Sequence, residues 1–143
     1  MAWVGRKAGI ISAVLTVLST GTGVMGFAGP DGSAGYGVWK NPSNSVHVEI
    51  RGCGKGGCGY VVWANDKAKA DARRGGTKQL IGVQLFREFT RQPNGSWKGK
   101  VFVPDLNKIL TGTVTPQKDG TLRARGCLVA GIGCKSQIWT RLK

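Results

Sequence analysis

From residue 36 onward, apolar and polar residues alternate in short runs broken by turn residues. Val46, Val48 and Ile50 fall on one side of an extended segment, with His47, Glu49 and Arg51 on the other. Over 96–103, Trp97, Val101 and Val103 oppose Lys98, Lys100 and Phe102 in the same way. The period of two predicts strands over 36–40, 45–51, 60–64, 80–90, 96–103, 108–115, 121–127 and 136–142. Between them lie Asn41-Pro42, a glycine-rich turn over 52–59, Gln92-Pro93-Asn94-Gly95, 104–107, Lys118-Asp119-Gly120 and a glycine-rich connection before 136. Asn65 or Asp66 caps an Ala/Lys helix that runs to Arg74 and stops at Gly75-Gly76. These links are too short for parallel crossovers, so the strands pair antiparallel. The expected fold is all-β, an eight-stranded barrel with one short helix, with an open sandwich as the alternative.

The chain has 143 residues. Arg6 and Lys7 precede an apolar run over 8–18, which is short of the ~20 residues that span a bilayer. Gly26-Phe27-Ala28 has a signal-peptidase pattern, and Ala34 is a second cleavage candidate. The expected organisation is a signal peptide over 1–28, a flexible lead-in over 29–35 and a single barrel domain over 36–143. An uncleaved anchor is the alternative. No cysteine precedes Cys53, so no lipid-attachment site follows the leader. The expected product is periplasmic or secreted and does not span the membrane after processing. With 24 glycines and 21 Lys+Arg against 7 Asp+Glu, composition excludes a coiled coil, a helical bundle, a multidomain enzyme and a disordered acidic chain.

The four cysteines lie at 53, 58, 127 and 134. An exported chain favours disulfides, and four cysteines allow three pairings. A zinc site wants Cys-x2-Cys spacing or histidine partners, whereas the gaps here are four and six residues and His47 is the single histidine. No metal or cofactor is expected.

Several phrases together resemble a known family. Gly37-Val38-Trp39 precedes Val48-Glu49-Ile50, Cys53-Gly54-x3-Cys58-Gly59 and Val61-Val62-Trp63. Leu80-Ile81-Gly82, Trp97-Lys98-Gly99-Lys100-Val101-Phe102, Leu122-x3-Gly126-Cys127 and the closing Cys134-Lys-Ser-Gln-Ile-Trp-Thr-Arg141 follow in order. The chain resembles the bacterial domain of unknown function 2147, in its exported, cysteine-bearing proteobacterial branch. That resemblance implies a lipocalin-like, calycin-type barrel in the cell envelope and supplies no catalytic residue.

In an up-and-down barrel, turns after even-numbered strands share one end and turns after odd-numbered strands share the other. The Cys53/Cys58 turn follows strand two and the Cys127/Cys134 connection follows strand seven. A strand spans ~17–20 Å while bridged Cα atoms lie within ~7 Å, so the expected pairs are Cys53–Cys58 and Cys127–Cys134. Trp39 on the first strand and Arg141 on the last meet at one end, where the guanidinium stacks on the indole and closes the barrel.

Trp63, Trp97, Phe102 and Trp139 either fill the core or line a ligand cavity. Arg87 points inward if its strand is regular, ready to hold an anionic headgroup, or outward if a bulge intervenes. Lys98/Lys100 and Arg123/Arg125 are i,i+2 pairs that each share a strand face, and Arg73 and Arg74 add charge near the helix, so a polyanion-binding surface competes with an ordinary solvated one. His47 and Glu49 are the only pair that suggests hydrolysis, without a nucleophile motif. No phosphate loop or nucleic-acid motif is present.

The sequence thus points to a non-enzymatic envelope protein that binds a small apolar or amphipathic ligand. The alternative is a packed barrel whose basic surface binds anionic lipids or glycans.

Overall fold

A computed structural model of the chain describes residues 33–129 and 132–143; the expected signal peptide over 1–28 lies outside them. Eight strands form a closed antiparallel barrel in simple sequence order: β1 (Gly37–Lys40), β2 (Val46–Cys53), β3 (Gly56–Ala64), β4 (Gln84–Arg91), β5 (Trp97–Val103), β6 (Lys108–Pro116), β7 (Leu122–Val129) and β8 (Ile132–Arg141). One helix, α1 (Asp66–Arg74), joins β3 to β4. β8 returns to β1 through the pairs Trp39↔Arg141 and Lys40↔Thr140.

Three boundaries differ from the sequence reading. The 52–59 turn is mostly ladder, paired Arg51↔Cys58, Gly52↔Gly57 and Cys53↔Gly56, leaving a tight turn in which Gly54 takes φ 57°. β8 starts at Ile132 rather than 136, because β7 and β8 stay paired past Cys127↔Cys134 to Val129↔Ile132. β4 starts at Gln84 rather than 80. Ahead of it, Leu80 to Val83 fold as a turn, with the Gly82 N–H donating to Val61 O and the Val61 N–H to Val83 O. Gly82 sits there at φ 90°, a conformation that glycine adopts freely.

The core is aromatic at its centre. Phe86 packs edge-on against Phe89 and Trp139, with centroids 5.5 and 5.8 Å apart. Glycines on facing strands make the room: a Cβ at Gly59 would lie 2.5 Å from the Phe86 ring, and one at Gly112 would lie 2.3 Å from Val101 Cγ2. Trp39, Val48, Val61, Leu85, Val114 and Leu122 are buried around them.

Helix α1 closes the end where the odd-numbered strands turn. The Asn65 side chain accepts from the Ala68 N–H at 2.8 Å, capping a helix whose Ala72 is buried with Ala64 and Leu80. Its exit is pinned to the β5–β6 turn. Gly75 lies so close to Asp105 that no side chain fits between them, and Thr77 donates to Pro104 O at 3.0 Å.

Candidate functional site

At the opposite end, residues 33–35 form a 3-10 turn. The buried Trp39 donates its indole N–H to Gly35 O at 2.9 Å. Arg141 lies 4.3 Å above the Trp39 ring and donates to Tyr36 O at 2.5 Å and to Ala34 O at 2.8 Å. The stacked guanidinium thus ties the last strand to the turn that stoppers the first. A cation over an indole contributes ~0.5–2 kcal/mol, and the hydrogen bonds add to that.

The interior beneath this stopper is nearly full. The apolar space between Tyr36, Ile50, Phe86, Phe89, Trp97 and Val114 measures about 20 Å³, whereas ligand pockets usually hold ~300 Å³ or more. Trp97 and Trp139 face inward and fill. Trp139 Nε1 is a buried side-chain donor with no partner among the described residues.

Trp63 and Arg87 do not line the interior, and Phe102 is half-buried, packed against the core. Pairing of His47 with Trp63 puts both rings on the outer surface of β2 and β3, stacked at 4.3 Å, with Trp63 still exposed. Arg87 turns outward because Glu88 takes φ 53° and the β4–β5 register shifts after Arg87, so that Phe86 and Phe89 both enter the core. The Arg87 guanidinium then stacks on the Phe102 ring at 4.7 Å and donates to Gln84 O at 2.9 Å.

On the outer surface of β5 to β7, register assembles a basic field. Lys98 pairs with Thr113 and Thr113 with Arg125; Thr115 pairs with Arg123; Lys100 pairs with Thr111. Cations on β5 and β7 therefore flank a column of threonine hydroxyls on β6, each strand ~4.8 Å from the next. Lys98, Lys100, Arg123 and Arg125 are all exposed. Glu88 contacts the field, 3.0 Å from Lys100 Nζ. Arg73 and Arg74 lie elsewhere, at the helix end, where Arg74 and Lys67 both pair with Asp71. Hydrogen bonding from Lys67, with the charges of Lys67 and Arg74, holds the Asp71 carboxyl below its ordinary range.

The family model described as an uncharacterized protein conserved in bacteria, DUF2147, matches residues 37–141. The chain belongs to the DUF2147 family. Among solved structures it is similar to protein HP1028 from the human pathogen Helicobacter pylori, a member of the lipocalin family. The TM-score is 0.59 at 17% identity, over 76% of this chain and 82% of that one. That likeness shows a lipocalin-like fold. No curated protein matches.

Within this DUF2147 barrel, Cys53 is bonded to Cys58 and Cys127 to Cys134, chemistry that belongs to a non-cytoplasmic compartment. No helix among the described residues is long and apolar enough to cross a membrane. No group of three or more His, Cys, Asp or Glu side chains among them could hold a metal ion. His47 is hydrogen-bonded to Asn44 Oδ1 at 2.7 Å and stacked on Trp63. Burial and the neighbouring Lys40 charge push its pKa below the usual histidine value.

The sequence reading passed over two features that build these sites and left the position of a third, the bulge that turns Arg87 outward, open. The threonine column was legible in the alternation Thr111-Gly112-Thr113-Val114-Thr115, once the apolar members are taken as core. The stopper turn left only a small-residue signature. The bulge at Glu88 left no local signature, because no glycine marks it.

Proposed function

We propose that this protein is a non-enzymatic binding protein of the cell envelope, periplasmic or secreted, which recognises anionic glycans through the outer face of β5 to β7. The observation that carries the reading is the lysine–threonine–arginine register on that face, Lys98–Thr113–Arg125 above all. The full interior supports it from the other side, since a 20 Å³ space offers little to a buried ligand. Cations on either side of hydroxyl donors suit sulfate, phosphate or carboxylate groups repeated along a polymer, and a strongly basic chain with pI near 10.3 accumulates such partners. Signal cleavage at Ala28 keeps the stopper turn whole, whereas cleavage at Ala34 removes the carbonyl to which Arg141 Nη2 donates.

Heparin serves as the polyanion probe. Affinity falls steeply with ionic strength, and the Lys98→Gln, Lys100→Gln, Arg123→Gln, Arg125→Gln combination weakens it at least ~100-fold, each charge contributing on the order of 1 kcal/mol. Unchanged affinity in that variant refutes the reading.

A second reading keeps a small amphipathic ligand inside the barrel. It draws on the unpartnered Trp139 N–H and on the apolar space beside Phe86 and Phe89, whose rings would have to move. Native mass spectrometry of protein taken directly from the envelope, with and without denaturation, decides it. A small molecule lost on denaturation establishes this second reading, and a bare mass removes it.

A further inference from the structure

We infer that the helix end of the barrel docks on an anionic lipid bilayer, with Leu128 and Ile132 of the β7–β8 hairpin and the β5–β6 turn entering the interface. The apolar residues left most exposed are concentrated here. Ile132 is 69% exposed, Leu128 57%, Leu106 55% and Ile109 53%. Leu128 and Ile132 belong to the hairpin that β7 and β8 extend beyond the Cys127–Cys134 bond, while Leu106 and Ile109 flank the start of β6. β6 and β7 are paired up to Thr111↔Cys127, so both loops emerge side by side at one end of the barrel. A soluble surface rarely leaves this much aliphatic area on two adjacent loop tips without something to cover it.

Charge selects the occupant. The loop segments 104–110 and 127–135 contain Lys108 and Lys135, both exposed, against the single carboxylate of Asp105. Arg73 lies exposed at the C-terminus of α1, which is pinned against the Asp105 backbone. Aliphatic tips ringed by lysine and arginine match the order of a bilayer surface, with hydrocarbon below and phosphate above. A protein partner would more often meet aromatic anchors, and these two segments have none. The site is separate from the β5–β7 face, and each can fail without the other.

Flotation with vesicles of phosphatidylethanolamine and phosphatidylglycerol tests the inference, using the oxidised processed chain at physiological salt. The wild type is expected to float with these vesicles and far less with phosphatidylcholine alone. Leu128→Ser with Ile132→Ser is expected to lower partitioning at least ~10-fold, about 1.4 kcal/mol, with an unchanged melting temperature and unchanged heparin affinity. The Gln variant of the β5–β7 face is expected to keep floating while losing heparin. If the double variant does not fold, Ile132→Ser alone carries the test, and a several-fold loss is expected. A wild type that does not float, or tip variants that float as well as wild type, overturns the inference.

Discussion

The two ends of this barrel solve the same problem in opposite ways. One end is sealed from within: a 3-10 turn lies across it, Trp39 is 1% exposed beneath, and Arg141 binds both. At the other end, α1 packs Ala72 against Ala64 and Leu80, but the β7–β8 hairpin runs on with Leu128 and Ile132 in solvent. Burial at the first end serves stability. Exposure at the second contributes nothing to folding, and persistent apolar exposure that does not help a protein fold points to a partner.

The sharpest way to break this contrast is to damage each end in turn. Trp39→Ala should cost about 3–5 kcal/mol through the cavity it leaves, readable in a denaturant or thermal melt, whereas Ile132→Ser should leave the melt unmoved. Equal losses would show that the hairpin tip is core after all. Next in size, replacing Cys127 and Cys134 together by Ser should cost about 2 kcal/mol, the entropic value of a small closed loop. That variant should also float more weakly on anionic vesicles, since the hairpin beyond the bond loses its clamp. Arg141→Ala should cost about 1–2 kcal/mol, by loss of the indole stack and the carbonyl bonds, without altering heparin or vesicle binding. A change in either binding assay would mean that the sealed end reports to the surface sites.

The smallest effect concerns pH. His47 has its pKa lowered in the fold, so the unfolded chain binds its proton more readily. Stability from this group is therefore fully present above the ordinary histidine pKa and declines as pH falls through it, levelling off once the folded form also protonates. His47→Gln should flatten that slope in melts between about pH 5 and pH 8. A variant whose slope matches wild type would remove His47 as the cause.

Much of the fold was readable because turn chemistry and alternation agreed. Asn94-Gly95 marked the β4–β5 hairpin, and the runs around Val48 and Val101 marked their inner faces. Parity of the turns, rather than any local motif, separated the two cysteine pairs. Less of the candidate site was readable, for identifiable reasons. Arg87 depended on a bulge at Glu88 whose left-handed backbone no side-chain pattern announces. Trp63 followed the bulge between His47 and Val48, which shifts β3 by one residue and puts its ring outside. The basic field needed cross-strand register, and a sequence shows only its own strand. Lys98 and Arg125 are distant in the chain and become neighbours across a threonine only when β5, β6 and β7 align.

The connectivity has a consequence for how the molecule is made. Each disulfide lies within one hairpin, at sequence separations of 5 and 7, and each strand through β7 pairs with its successor. Each bond can therefore form as soon as its own hairpin has paired in an oxidising compartment, without reshuffling between distant cysteines. The ends of the sequence meet at the seam between β1 and β8, two ladder pairs reinforced by the Arg141 bonds to Tyr36 and Ala34, so closing the ring is expected to be the last and slowest step of assembly.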